Sequence, residues 1–256
     1  MSILSADTLF HYTRRKEWLI NILKNGIAPR FSKELDQSLG DSLTMSQYLY
    51  VPMACFCDTP LSLVNKHMDI YGSYGVGLTK EWGIKNQLNP VIYMIKENSV
   101  NSNLVISNHY AAISTHFSTH KGSSNAAEFS DSSFIYQFLK PYKSGSYYKR
   151  GNRIYKNYVY YDEREWRYVP VNVQHNRLHP NVIPSPTRLQ IKEANDSLRS
   201  SALTFNAKDI NYIIVKKAGD VDDILRAIEK SKFFDIGDKQ YLTTTLITAD
   251  RIKKDF

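Results

Sequence analysis

No regular alternation of strand and helix runs through this chain of 256 residues, and that irregularity constrains its fold more than any single motif. "TLFHYT" reads as a short strand and leads at once into "RRKEWLINILKNG", a helix with Trp18, Leu19, Ile22 and Leu23 on one face. Thr13 is placed to cap that helix and Gly26 to end it. "MACFCDTP" reads as a buried strand, after which Thr59 as cap and Pro60 in the first turn predict a helix over "LSLVNKHMDIYG". In "YGVGLT" the two glycines, Gly75 and Gly77, fall on one face of a strand, the pattern of close approach by another backbone. "PVIYMIKE" reads as a strand, "FIYQFLKPY" as a helix ended near Pro141, "EWRYVPV" and "LTF" as strands. "KDINYIIVKK" is the strongest strand signal; "DVDDILRAIEKS" follows as a capped amphipathic helix, and "LTTTLIT" closes the sheet. Helices come early and in the middle while strands cluster late, which favours an α+β fold over a doubly wound parallel sheet. The expectation is one domain over 1–256 with a mixed or antiparallel split sheet, interrupted by a helical or irregular insert around 98–145 that is rich in Ser and Asn.

Composition narrows the class. Hydrophobic residues make up 42% and charged residues 23%, the balance of a globular protein with a real core. No apolar run reaches the roughly 18 residues of a membrane span, and the N-terminus lacks the basic and apolar regions of a signal peptide. The two cysteines, Cys55 and Cys57, are too few for a zinc site and awkwardly spaced for a mutual disulfide, so reduced thiols in a cytoplasmic protein are expected. None of the seven histidines forms a metal-ligand pattern, and no metal is expected. His116 and His120 could share a helix face as a solvated pair. The net charge of +8 favours acidic partners, nucleic acid among them.

Four stretches carry candidate chemistry, each with a plainer structural reading. His11 in "LFHYT" could bond a ribose hydroxyl or move a proton; a lone strand histidine can equally be bonded to backbone. Asp58 in "CFCDTP" can bind a ligand or cap the next helix. Tyr71 and Tyr74, beside small residues in "YGSYGVGLT", can stack on a flat heterocycle or pack in a turn. "YYDEREWRYVP", residues 160–170, carries Glu163 and Glu165. On a strand these would share a face with Arg167, as a catalytic carboxylate pair or as a charged edge.

In this order, "LFHYTRRKEWLINILKNGIAPR", "PMACFCDTPLS", "YGSYGVGLTKEWGIKNQLNPVIY" and "YYDEREWRYVP" resemble the AbiGi family of abortive phage-infection proteins, over roughly residues 8–250. The strand with His11, the helix after it, the Gly-rich strand and the late Glu-x-Glu strand also resemble, more distantly, ADP-ribosyltransferases. That resemblance implies an ADP-ribosyltransferase-like split mixed sheet with flanking helices and NAD as co-substrate without a metal. It implies His11 on the NAD ribose, Tyr12 or Thr13 on the nicotinamide amide, and Tyr74 as the stacking aromatic with Tyr71 as competitor. Glu165 would be the catalytic glutamate, Glu163 its partner, and both would lie on the His11 side of one cleft. Leu78 and Thr79 stand where many members of that class carry an aromatic, which leaves the middle member of the site open. The expected function is a phage-defence toxin that moves ADP-ribose from NAD to nucleic acid, RNA before DNA, held silent by a cognate antitoxin. Arg14, Arg15, Lys149, Arg150 and Arg153 would be its phosphate contacts. The alternative is a non-enzymatic antitoxin or binding component of such a toxin–antitoxin system.

Overall fold

The computed structural model describes residues 6–35, 48–95, 135–144, 147–150, 153–171, 186–231 and 233–255. Most of the expected insert, with His116 and His120, lies outside them. The described residues form a mixed α+β fold on an eight-stranded sheet. Its strands are β1 (Thr8–Thr13), β2 (Arg30–Leu35), β3 (Tyr48–Cys57), β4 (Tyr74–Thr79), β5 (Asn89–Pro90), β10 (Glu165–Tyr168), β11 (Ile210–Val215) and β12 (Leu246–Thr248). Across the sheet they run β12-β11-β4-β1-β3-β10-β5, with β2 also on β3; only β11–β12 is parallel.

Strand alternation sorts the side chains to two faces. Leu9, Phe56, Val76, Leu78, Ile213 and Val215 pack on one face against α1 (Lys16–Asn25) and, further along the chain, Ile224 and Ile228 of a helix at Val221–Glu229. Phe10, Cys57 and Ile214 pack on the other, against Val64 and Met68 at α2 (Asn65–Tyr71) and against Ile252 near the C-terminus. Burying apolar area on both faces is what holds helices to a sheet. α3 (Lys80–Lys85) adds Trp82 to the first face, and α4 (Arg188–Ser197) packs Ala194 on Phe31 of β2. The remaining helices are α5 (Val221–Glu229), α6 (Ile236–Thr244) and α7 (Ala249–Asp255).

The centre of the sheet is split. β1 meets β3 at one registered pair, Phe10 with Cys57, whereas β1 and β4 pair over the full length from Thr8–Thr79 to Thr13–Tyr74. Beyond Phe10 the strands part, and the His11 imidazole bridges the gap to the Cys55 carbonyl, Nδ1 to O 2.8 Å. The close backbone approach expected at the glycines is present at Gly75, where a methyl would lie 2.7 Å from the His11 carbonyl oxygen; at Gly77 a methyl would meet side chains instead, Thr8 Cγ2 at 2.7 Å and the Phe10 ring at 2.8 Å.

Several local expectations gave way to longer-range contacts. Thr13 does not cap α1; its hydroxyl turns back onto the Arg15 backbone, and the helix starts at Lys16. The helix expected after Thr59 is a 3₁₀ turn, Leu61–Leu63, followed by the short α2, and Asp58 instead pairs with Lys80 at 2.9 Å. "FIYQFLKPY" is not a helix. A 3₁₀ turn over Ile135–Phe138 leads into β7 (Leu139–Pro141), which lies parallel to β6 (Ile92–Met94) outside the main sheet. There the ladder to β6 supplies the backbone bonds that a helix would have supplied locally. "LTF" supplies only an isolated bridge, Leu203 with Ile27, and the first half of "LTTTLIT" ends α6.

Candidate functional site

Residues 160–170 do not form one strand. Tyr160–Glu163 is a 3₁₀ turn and Arg164 adopts the left-handed conformation (φ 44°, ψ 50°) before β10 begins at Glu165. Such a backbone is uncommon for arginine. Here two backbone bonds hold it, from the Asp58 N–H to the Arg164 carbonyl (2.9 Å) and from the Arg164 N–H to Tyr161 (3.1 Å). The kink removes Glu163 from the strand alternation, so it does not share the face of Glu165 by register, as "DEREWR" suggests.

A lysine brings the two glutamates together instead. Lys140 Nζ lies 2.5 Å from an oxygen of Glu163 and 2.5 Å from one of Glu165. Arg167 donates from Nε to Glu165 at 2.7 Å and from Nη2 to Glu34 at 3.0 Å. Its Nη1 donates to the Gln137 carbonyl at 2.6 Å. Glu163 also accepts from the Tyr71 and Tyr158 hydroxyls, the latter at 2.9 Å. Glu163, Glu165 and Arg167 are all buried, Arg167 at 1% exposure. Burial pushes the Glu165 carboxyl up, but the charges of Arg167 and Lys140 outweigh it and hold the group well below the usual carboxylate range. Burial disfavours the charge on Lys140, and Glu165 and Glu163 more than restore it, so the ammonium is held charged. The neighbouring phenols of Tyr71 and Tyr158 are pushed up by burial and by Glu163, and stay protonated donors.

His11 and Glu165 lie on opposite faces of the sheet. Glu165 is level with Cys57, and Cys57 with Phe10; His11, one residue on, points to the α1 side, where its ring packs 5.4 Å from that of Phe56. The expectation of one His11–Glu165 cleft is corrected by this register. Trp166 and Tyr168 pack against the main core on the face away from Glu165. His11 follows the structural reading, bonded to backbone, and burial lowers its pKa so that it stays neutral. Tyr74 is on the His11 face but buried, donating to Asp220 at 2.9 Å. The Tyr71 ring carries the guanidinium of Arg150 at 4.1 Å and lies near-parallel to the ring of His67 at 6.1 Å. NAD would need a histidine, a free aromatic face and a glutamate around one opening, and His11, Tyr71, Tyr74 and Glu165 do not supply that arrangement. Tyr12 lies on the opposite face from His11, with its buried hydroxyl lacking a partner among the described residues. Thr13 turns onto Arg15, as described.

The basic candidates divide. Arg14, Arg150 and Arg153 converge with Lys216 around a half-open pocket of about 500 Å³, floored by Gly72, Ser73 and Tyr74. Arg15 is elsewhere, over the Trp18 ring at 5.4 Å. Lys149 is on β8 (Tyr147–Arg150), which pairs with β9 (Arg153–Lys156); its side chain is outside the described ones. Lys140, Glu34, Tyr158 and Lys216 were not among the sequence candidates. Glu34 meets Arg167 across 133 positions of chain, and no local pattern announces such a pair. Among the described residues no cluster of three or more His, Cys, Asp or Glu could hold a metal ion, and no helix is long and apolar enough to cross a membrane.

The described residues thus form a mixed α+β fold that carries a largely buried charge network and a separate cationic pocket. Residues 31–216 match the family model described as abortive phage resistance protein AbiGi, antitoxin, and the chain belongs to that family. It is 26% identical over 230 residues to the abortive phage resistance protein AbiGi of Lactococcus lactis subsp. cremoris, covering 81% of this chain and 89% of that one. No solved structure matches it significantly.

Proposed function

We propose that the chain is a non-enzymatic member of a phage-defence toxin–antitoxin pair, an antitoxin or binding component that keeps an ADP-ribosyltransferase-like split-sheet shell. The closure of the carboxylate pair carries this reading. Glu165 is shared between Arg167 and Lys140, and Glu163 between Lys140, Tyr71 and Tyr158. A carboxylate that must steady a developing cation needs an open line to substrate; these two spend their lone pairs on buried donors. The family description, antitoxin, supports the same reading. Expression in a host without the neighbouring genes tests it. Growth is expected to be unaffected, and co-expression with the toxic neighbour is expected to restore growth to that strain.

The split beside His11 favours a second reading, an ADP-ribosyltransferase toxin of the cytoplasm that uses NAD and modifies RNA or DNA under the control of an antitoxin. Incubation of the purified chain with labelled NAD and separate pools of RNA, DNA and protein separates the two. Label transferred by wild type and absent with a folded Glu165→Gln variant would establish the enzyme and sink the binding reading. No label in any pool supports the binding component.

A further inference from the structure

The pocket at Arg14 gathers four cations against one lining carboxylate. Its cations come from four segments: Arg14 after β1, Arg150 and Arg153 on β8 and β9, and Lys216 after β11. Gathering them costs mutual repulsion. In the buried network, by contrast, Lys140 and Arg167 meet carboxylates. Here no ion pair joins Arg14, Arg150, Arg153 or Lys216 to a described acidic side chain. The lining carboxylate, Asp69, is bonded to Lys253 at 2.8 Å.

The guanidiniums are also held in place. Arg14 donates to the Ile70 carbonyl at 3.0 Å and Arg153 to the Asp69 carbonyl at 3.0 Å, both in the last turn of α2. Arg150 donates to the Tyr148 hydroxyl at 3.1 Å while lying on the Tyr71 ring. Each anchor uses one part of a planar fork and leaves further N–H groups for a ligand, so part of the ordering entropy is met before binding. The floor is shaped by Gly72, whose φ of +124° suits glycine; a methyl there would lie 2.2 Å from the Thr13 carbonyl oxygen. Three guanidinium forks and an ammonium suit phosphate oxygens. A volume of about 500 Å³ is that of a small-molecule site and not of a groove that tracks a polymer.

We propose that this pocket binds the phosphate chain of a small anionic ligand, inorganic pyrophosphate or the diphosphate of a nucleotide. The assignment stands whether the chain is a binding component or an enzyme. Calorimetric titration of the full chain at low salt, with inorganic pyrophosphate, ADP, adenosine and a short RNA lacking a terminal phosphate, tests it. Pyrophosphate and ADP are expected to bind, adenosine is not, and ADP affinity should fall as salt is raised. Arg153→Ala should weaken ADP binding about tenfold, the loss of one charge-assisted bond, and Lys216→Glu, at an exposed position where the fold is expected to persist, should weaken it by at least as much, since it also sets a carboxylate against the phosphates. Absence of both pyrophosphate and ADP binding would overturn the proposal. So would ADP affinity unmoved in both variants, or RNA binding that pyrophosphate does not displace.

Discussion

The buried network around Arg167 and the pocket around Arg153 use the same kinds of side chain to opposite ends. In the network, Lys140 and Arg167 pair with the buried Glu163 and Glu165, Arg167 reaches out to a third carboxylate at the half-exposed Glu34, and two phenols complete the bonding of Glu163. In the pocket, four cations line an opening, the three arginines held by carbonyls, a phenol and a ring. Formal charge in a sequence therefore says little about role. What separates structure from binding is whether each charge is answered within the fold.

The sharpest way to break this contrast is to remove an answered charge. Arg167→Met should leave Glu165 buried with one partner fewer and cost about 3–5 kcal/mol in urea unfolding; a cost under about 1 kcal/mol would mean the network is not the closed unit described. Gly72→Ala comes next. It forces a methyl onto the Thr13 carbonyl at positive φ, and a loss of about 2 kcal/mol is expected in the same assay. Acid titration of stability reads the network without mutation. The His11 and His67 pKa values are lowered in the fold, so the unfolded chain takes up protons first and stability falls as pH drops below about 6.5. Glu165 is depressed as well, so its contribution is complete above about pH 4.3 and is lost as pH falls through its lower folded value. Thermal melts that improve on acidification would contradict both directions. The smallest effect belongs to the pocket: Lys216→Glu should change stability by less than about 0.5 kcal/mol, even as it weakens anion binding.

The parts legible in the sequence were those whose signal is local. "TLFHYT", "YGVGLT" and "INYIIV" became β1, β4 and β11 because apolar, β-branched and aromatic runs fit a pleated, buried surface whatever their partners. Gly26 ends α1 with φ 79° because few other residues sit there without strain. Lys140 was illegible for the converse reason. In "FIYQFLKPY" it reads as the polar end of a helix, and only the pairing of β7 with β6 turns it towards the glutamates. Glu163 and Glu165 were singled out as a pair and do share a partner, yet the kink at Arg164 is not visible in the residue types around it. Arg14, Arg150 and Arg153 were each marked as phosphate contacts; their convergence is a product of topology, as is the exclusion of Arg15 from the group.

The single registered pair between β1 and β3 has a mechanical consequence. A continuous sheet transmits shear through a ladder of backbone bonds, but here the ladder narrows to Phe10 and Cys57, with the His11 imidazole as a side-chain tie beside it. The sheet is thus two blades, β12-β11-β4-β1 and β3-β10-β5, that share one registered pair and are otherwise joined through side chains, Leu9, Val76 and Leu78 lying in the same core cluster as Ala54 and Phe56. The Arg167 network belongs to one blade, and the Arg14 and Lys216 rim of the pocket to the other.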